Sequence, residues 1–555
     1  MTLLKRNRNP MTAFALVSLL LFAGCSASAG SSAESGSASA SAEPGRSAAS
    51  QAPISGGDLT YGLATSPDSL DPHVSGLDVA SRVFRSIYDS LVFLTEDNQI
   101  KPWLASEWSV SPDGKRYTFK LRQDVKFHDG TPFNAEAVKK NFDRIVDPST
   151  EASIALSYLT QYESSEVVDP YTVRFNLKKP SAAFLRNLSQ PSLAIVSPTA
   201  AEKYGKQLGQ HPVGTGPFRF VKWEENSEIK LERNPDYNWA PDAFDNQGKP
   251  YLDTVTFKII PEEATRIGSL QSGQVLAIET VPAQNVAALK NDSRFTIASH
   301  DALGLPFALF INERQAPWND LKARQALQLG IDVDAIVKTL YFGVYKRAWS
   351  PLAPGTFGYD PALENGIQSD KEKAKRLLDE LGWKPGKDGI REKDGKKLTI
   401  RYVESIPNKD KKQDIAAIVQ QQLKEIGVAV ELHFTKDVSQ VVLMDHAYEL
   451  FGGGTAGLDP SALTTFYHTH GLTGWPSLSG FDDPKLDELL ERGETELDDA
   501  KRLEIYQEAQ HYIVDHAVTI PIYVSPSISA VSKKVENLKY DALGYLLLHD
   551  TTVRN

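Results

Sequence analysis

The sequence has a single cysteine, Cys25, among its 555 residues. The chain beyond it can therefore form no disulfide and no thiolate metal site, and its stability must come from packing. After residue 22 no apolar run approaches the roughly 18 residues of a membrane-spanning helix, which excludes a later span. Acidic and basic residues are interspersed at a net charge of −11, so no basic face for nucleic acid is indicated.

Catalytic motifs are also missing. There is no G-x-S-x-G, H-E-x-x-H or Walker loop, so we predict no catalytic residue and no cofactor. Residues 452–457 spell G-x-G-x-x-G, but Asp459-Pro460 follows at once, and we interpret the match as chance. These glycines instead suggest a sharp turn or a close approach to a ligand. His468 and His470 would share a face on a strand, but no third ligand is near, so no metal site is predicted.

The first 24 residues have the order of a secretory signal peptide. Basic residues, among them Lys5 and Arg6, precede an apolar stretch at 11–22 and then Ala23-Gly24. The ending on Gly-Cys resembles the lipobox of bacterial lipoproteins, although Phe22 stands where Leu is usual. That resemblance implies that Cys25 carries a diacylglyceryl group, becomes the mature first residue and anchors the protein to a membrane. The alternative is a secreted protein with one free cysteine.

Residues 25–55 follow as a tether rich in Ser, Ala and Gly. The tether has too few large apolar residues to offset the entropy of ordering it, and as a coil it would span about 30 Å. The body from Gly56 onward is too long for one core and predicts two or three domains or lobes.

Periodic patterns in the body predict alternating strands and helices. A strand is predicted at 59–64, a helix at 79–92, and a hairpin strand in which Tyr117, Phe119 and Leu121 share a face. Residues 398–434 read as strand, helix and strand, typical of a parallel crossover unit.

Several segments together carry a resemblance to a known family. The segments are 101–108, 113–122, 125–133, 212–218, 321–332 and 486–523. In them the chain resembles family 5 of the solute-binding proteins of ABC importers, which includes peptide-, dipeptide- and nickel-binding proteins. The resemblance implies an α/β, periplasmic-binding-protein-like type II fold, two-lobed and hinge-closing, with an extra inserted subdomain. Its implied divisions are lobe I at 56–90, 210–305 and 516–555, the insert at 91–209 and lobe II at 306–515.

The function that the resemblance implies is that of an extracytoplasmic, lipid-anchored receptor for a small solute. We expect a monomer that takes a peptide first of all and delivers it to an ABC permease and its ATPase. It would lie on the cell membrane, or in the periplasm if the host has an outer membrane. A metal chelate, an oligosaccharide or an opine-like solute are the alternatives within this class. An extracellular hydrolase, or a sensory or adhesive lipoprotein, are alternatives from other classes.

The family also implies where the ligand binds. Peptide-binding members carry an aspartate three residues before an Asp/Glu-Pro pair, where it holds the ligand's α-ammonium. This sequence has Ala456 there, which puts recognition of a free amino terminus in doubt; Asp459 could substitute for it, or could cap a helix near Pro460. His73 and the loop 65–71 are expected to face the cleft from lobe I, and the aromatic residues at 466, 467 and 475 either wall the cleft or pack under a long loop. The residues assigned to the ligand are His73, Gly454, Thr455, Ala456, Asp459, Phe466, Tyr467 and Trp475.

Overall fold

The computed structural model describes residues 55–470 and 477–554. Cys25, the predicted signal peptide and Trp475 lie outside these ranges, as does all of the predicted tether except Ser55. The described residues all belong to one compact unit. No helix within the described ranges is both long enough and apolar enough to cross a membrane.

A seven-stranded mixed sheet forms the largest β-structure. The predicted first strand occupies Asp58–Leu63 and pairs in parallel with Thr254–Ile259, and both contribute buried apolar side chains, such as Leu59 and Val255, to the core. The helix Asp78–Ile87 packs its buried residues, such as Val83 and Phe84, into the same core cluster. In order across the sheet the strands are Phe295–Asp301, Pro526–Ser532, Ala277–Ile278, Asp58–Leu63, Thr254–Ile259, Glu228–Arg233 and Phe218–Glu224.

A second, six-stranded sheet is built mainly from the later half of the chain. The predicted strand–helix–strand unit is present as Thr399–Ser405, Lys412–Glu425 and Ala429–Thr435, and its two strands pair in parallel. Strand Gly304–Ile311, buried along its whole length, lies near the middle of the sheet. In order the strands are Lys346–Arg347, Thr519–Val524, Gly304–Ile311, Leu450–Ala456, Thr399–Ser405 and Ala429–Thr435.

A four-stranded antiparallel sheet lies within the predicted insert. Tyr117, Phe119 and Leu121 are buried on one face, as their alternation predicts. The helix Ala135–Val146 covers this core, and the ring of Phe142 lies 4.6 Å from that of Phe175. The strands in order are Ala105–Val110, Arg116–Leu121, Thr172–Leu177 and Tyr162–Asp169.

Further helices pack around the sheets, and short strand pairs complete the fold. The other α-helices are Ser153–Ser157, Phe184–Asn187, Pro198–Tyr204, Glu263–Gln271, Ala283–Asn291, Leu321–Gly330, Val333–Tyr341, Lys371–Glu380, Ala462–Tyr467, Pro484–Thr495 and Asp499–Asp515. The short strands are Val92–Leu94 with Ile100–Pro102, Lys384–Pro385 with Arg391–Lys393 and Lys396–Lys397, Val535–Glu536 with Thr552–Val553, and Lys539–Tyr540 with Leu546–Leu547.

The chain passes between the two large sheets at two adjacent places. One crossing lies between Asp301 and Gly304, and the other between Val524 and Pro526. The crossings run side by side, since the amide of Ala302 donates to the carbonyl of Ser525 at 2.8 Å. The strand bounds thus place the first crossing a few residues before the predicted lobe boundary at 305/306, and the second about nine residues after the predicted boundary at 515/516. The division into lobes itself stays a prediction.

Two of the segments that carry the family resemblance meet at the end of helix Asp78–Ile87. The imidazole of His128 donates through Nε2 to the carbonyl of Gly216 at 2.9 Å, and its Nδ1 accepts from the amide of Gly214 at 3.4 Å. The amide of Gly216 in turn donates to the carbonyl of Ile87 at 2.9 Å. Burial lowers the pKa of His128 to about 4, so its ring is neutral and can accept at Nδ1. This junction is structural and joins the insert to the first sheet.

Candidate functional site

A cavity of about 300 Å³ collects residues from distant parts of the chain. We call it the central cavity. One wall comes from the N-terminal end of helix Asp78–Ile87, and the facing wall from the end of strand Leu450–Ala456. Its lining residues are Ser75, Gly76, Asp78, Ser81, Ile154, Tyr158, Gln190, Pro191, Ser192, Gly454, Thr455, Ala456, Gly457, Leu543 and Tyr545.

Asp78 is the first residue of its helix, where the helix dipole favours a negative charge. The helix forms because Val79, Val83 and Ile87 recur on one buried face. Asp78 itself is exposed, and its Oδ1 accepts a hydrogen bond of 2.9 Å from the hydroxyl of Tyr545. Burial, with Asp78 beside it, raises the pKa of Tyr545, so the phenol stays protonated and orients the carboxylate.

The facing wall is a glycine-rich strand rather than a turn. Leu450–Ala456 pairs antiparallel with Gly304–Ile311, so the expectation of a sharp turn at these glycines is wrong. Glycine is needed at these positions because neighbouring atoms leave no room for a side chain. A Cβ on Gly452 would lie 2.7 Å from Oε2 of Glu404, and a Cβ on Gly454 would lie 2.7 Å from the carbonyl oxygen of Pro306. The strand therefore presents mostly backbone and small side chains to the cavity.

Gln190 and Ser192 line the third side of the central cavity. They flank Pro191, which opens a short 3₁₀ turn, and they are only 4% and 6% exposed. Nε2 of Gln190 and Oγ of Ser192 have no hydrogen-bond partner. Buried polar groups are nearly always paired, and an unmade bond costs about 1–3 kcal/mol. Both atoms are buried away from the open space of the cavity.

A smaller cavity of about 210 Å³ lies beside the central one; we call it the side cavity. The two share Ile154, Tyr158, Thr455, Ala456 and Gly457. The side cavity is also bounded by Ser181 and Glu494, and near them the amide of Ala182 donates to the carbonyl of Glu494 at 2.9 Å. Burial raises the pKa of the Glu494 carboxyl to about 7.

Asp459 borders the side cavity, but its carboxylate is already paired. Both oxygens accept from the guanidinium of Arg502, at 2.6 and 2.8 Å, and the side chains are 3% and 2% exposed. Arg186 approaches the same carboxylate at 3.7 Å, and the amide of Ser461 donates to it at 2.9 Å. Burial opposes ionisation of Asp459, but Arg502 and Arg186 outweigh it and hold its pKa below the ordinary value. Asp459 thus joins parts of the chain in a buried ion cluster.

The structure brings together only some of the residues that the sequence assigned to the ligand. Gly454, Thr455 and Ala456 line the central cavity, and Phe466 lines the side cavity while stacking on Phe310 at 5.8 Å.

The remaining candidates lie elsewhere. His73 is not among the lining residues: its Nδ1 accepts from Arg144 at 2.7 Å, Nε2 donates to the carbonyl of Ala194, and burial lowers its pKa to about 4. Tyr467 is 1% exposed, and its hydroxyl lies 3.1 Å from that of Thr519.

Sequence analysis missed Asp78, Tyr158, Gln190, Ser192 and Tyr545. Gln190 and Ser192 are close in sequence, but Asp78, Tyr158 and Tyr545 each belong to a different segment, so no sequence motif could have collected the set. His468 was considered as a metal ligand, but its Nδ1 accepts from the amide of His470 at 3.1 Å. No group of three or more potential metal ligands occurs in the described part of the chain.

The model of the family described as "Bacterial extracellular solute-binding proteins, family 5 Middle" matches residues 99–476. The chain belongs to this family. The glutathione-binding protein GsiB of Pectobacterium atrosepticum is 30% identical over 519 residues, which cover 89% of this chain and 92% of GsiB. Among solved structures, the oligopeptide-binding protein AppA of Bacillus subtilis, in complex with a nonapeptide, is 26% identical with a TM-score of 0.72, covering 91% of this chain and all of AppA. NikA of Brucella suis, in complex with Fe(III)-EDTA, is 27% identical with a TM-score of 0.77, covering 90% of this chain and all of NikA.

Membership of family 5 confirms the predicted α/β periplasmic-binding-protein fold. The chain is an extracytoplasmic solute-binding protein of the ABC-transporter class. Family 5 consists of non-catalytic binding proteins, so the hydrolase alternative is set aside.

Proposed function

We propose that this chain captures a small, peptide-like solute in the central cavity and delivers it to an ABC permease and its ATPase. The proposal rests on one observation: the two walls of the central cavity come from elements that belong to different sheets. Asp78 begins a helix that packs on the seven-stranded sheet, whereas Gly454–Ala456 belong to the six-stranded sheet. A solute in the cavity therefore contacts both bodies at once, as expected of a pocket at a domain interface.

Capture would proceed by closure of two lobes about the crossings at Ala302 and Ser525. Each lobe would be centred on one large sheet, and few backbone angles need to change where the chain passes between them. Contacts to both walls exist only when the lobes are together. The solute therefore shifts the population toward the closed form by no more than its difference in affinity for the two forms.

The size of the central cavity supports a short solute. Its volume of about 300 Å³ is at the lower end of the roughly 300–1,000 Å³ of small-molecule pockets. Relatives named for binding glutathione and oligopeptides indicate that members of the family bind peptide-like molecules. A di- or tripeptide-sized solute fits these observations better than a long oligopeptide.

Binding is tested on the full chain purified from its own host. We expect native mass spectrometry to show a co-purified solute in 1:1 ratio, and calorimetry on solute-free protein to show uptake of glutathione or trialanine without products. Ala456→Trp should abolish binding by filling the central cavity, while Ala264→Trp, at an exposed helix position outside both cavities, should not. A protein that carries no solute and binds none of these molecules would contradict the proposal.

We propose further that Cys25 carries the lipid anchor. Replacing it by serine removes the sulfur that the diacylglyceryl group needs, so the variant should leave the membrane fraction and appear in the soluble fraction. Mass spectrometry of the mature amino terminus should show the lipid on Cys25 in the unchanged protein. Equal membrane retention of both proteins would show that the anchor lies elsewhere.

A further inference from the structure

The predicted insert is held to the body of the seven-stranded sheet by buried polar contacts. Arg85, in helix Asp78–Ile87, is 5% exposed. Its Nη2 donates to the carbonyl of Ser189 in the insert at 2.7 Å, and its Nε donates to Asp541 at 2.8 Å. The junction at His128 joins the same two parts. Separating them would leave buried polar groups without partners, so the insert stays with the seven-stranded body.

The insert also contacts the six-stranded body, and we call this contact surface the insert interface. Two hydrogen bonds cross it. The amide of Ala182 donates to the carbonyl of Glu494 at 2.9 Å. Nδ2 of Asn98 donates to the carbonyl of Gly355 at 2.8 Å. Glu494 belongs to the helix Pro484–Thr495, which packs on the six-stranded sheet, so the interface bridges the insert and that sheet.

Leu497, between the helices Pro484–Thr495 and Asp499–Asp515, adds an apolar contact to the insert interface. The insert presents a hairpin turn at Gly114, where a Cβ would lie 2.7 Å from Cδ1 of Leu497 and 3.1 Å from Cβ of Pro180. The turn therefore lies directly against the leucine, which is 42% exposed. Separating the insert from the six-stranded body would expose more of this apolar side chain to water, which is unfavourable.

Arg186 brings a charge to the insert interface. Its Nε lies 3.7 Å from Oδ2 of Asp459, and its Nη1 donates to Oδ1 of Asn98 at 3.2 Å. Burial lowers the pKa of Arg186, because desolvation offsets part of its attraction to Asp459. The interface therefore depends mainly on its hydrogen bonds and its apolar contact.

The contacts of the insert interface lie away from the central cavity. Asn98, Ala182, Gly355, Glu494 and Leu497 are outside the set of residues that line it. Glu494 borders the side cavity, but it joins the interface through its backbone carbonyl. A solute in the central cavity is therefore not needed to make these contacts.

We infer that the insert interface stabilises the closed form of this receptor independently of the solute. The inference rests on the two-lobed closure in the proposed function and adds a second source of closure, outside the central cavity. A solute then meets molecules of which a larger fraction is already closed, so less of its binding free energy is used to bring the lobes together. The affinity for every solute contains this same contribution.

Hydrogen exchange followed by mass spectrometry tests the inference on the full chain after any co-purified solute has been removed. We expect the amide of Ala182 to exchange slowly in this solute-free protein, because its bond to Glu494 is made in the closed form. Asn98→Gly removes one hydrogen bond, and glycine accepts the φ of +64° at this position. Leu497→Ala removes the apolar contact. The two changes together should speed exchange at Ala182 about tenfold, while the amide of Gly216 at the junction keeps its rate.

Calorimetry with trialanine and glutathione provides the second measurement. The double variant should bind both molecules more weakly by one common factor of up to about tenfold, because the closing step is shared. Asn226→Gly, at a φ of +57°, and Leu321→Ala, at a side chain 37% exposed, are matched controls outside the interface. They should change neither measurement.

Three results would overturn the inference: fast exchange at Ala182 in the unchanged solute-free protein, variants that leave exchange and affinity unchanged, and a loss of affinity for one probe alone. The exchange rate of Gly216 shows whether the double variant is folded, and the two single variants replace it if that rate rises. If neither probe binds the unchanged protein, the proposed peptide function fails, while exchange at Ala182 still decides the role of the insert interface.

Discussion

Replacing Asp459 by alanine is expected to lower the free energy of unfolding by about 3–5 kcal/mol. The carboxylate is 3% exposed and faces two guanidinium groups, those of Arg502 and Arg186, which both lie over the ring of Phe357. Removing it leaves two cations in a region from which water is largely excluded. The denaturant midpoint of the variant, compared with that of the unchanged protein, measures the loss.

An exposed ion pair provides the matched control for Asp459. Glu202 pairs with Lys140 at 2.8 Å, but the two side chains are 68% and 47% exposed. Solvent screens such a pair, so Glu202→Ala should leave the denaturant midpoint almost unchanged. If Asp459→Ala and Glu202→Ala cost the same, the buried cluster is not a major source of stability.

Replacing Gly216 by alanine is expected to cost about 3 kcal/mol or more, the upper end of what overpacking costs. An added Cβ would lie 2.5 Å from the carbonyl carbon of Ile87 and 2.7 Å from its oxygen, and backbone cannot move aside as a flexible side chain can. The displaced segment would also lose the hydrogen bond from His128 to the carbonyl of Gly216. Thermal unfolding measures this effect.

The control for Gly216 is a glycine in open space. Gly268 lies in the exposed face of helix Glu263–Gln271, and an added Cβ there would have no heavy atom within 4 Å. Gly268→Ala should therefore stabilise the protein by about 0.5–1 kcal/mol, because alanine has the higher helix propensity. A stabilising Gly216→Ala would show that the junction tolerates a side chain and that its tight packing is not required.

Much of the fold was predictable because its determinants are local. The alternation of Tyr117, Phe119 and Leu121 predicted their buried face, and the strand–helix–strand pattern of 398–434 predicted the helix Lys412–Glu425, which is followed by Gly427 with a φ of +87°. The helix predicted at 79–92 ends at Ile87 instead. Its last carbonyl is taken by the amide of Gly216, more than a hundred residues away, and no local pattern encodes that partner.

The candidate site was less predictable because its residues meet only through the tertiary fold. The hydroxyl of Tyr545 donates to Asp78 across 467 residues of sequence. Ala456 was found because it lies three residues before Asp459-Pro460, where peptide-binding members of the family carry an aspartate. Asp459 was assigned to the ligand since the sequence cannot show that Arg502, 43 residues later, occupies both of its oxygens.

The bonds near the side cavity affect how often receptors without solute would bind the transporter. The ion pair of Arg186 with Asp459 and the backbone hydrogen bond of Ala182 with Glu494 link the insert that holds the four-stranded sheet to the six-stranded body through the protein's own groups. In the closure proposed above, each such link would stabilise the closed form of the solute-free and the solute-bound receptor alike. A larger fraction of solute-free receptors would then bind the importer without delivering a solute. Stronger links would therefore tighten the binding of dilute solute, but they would also increase the time for which solute-free receptors occupy the importer.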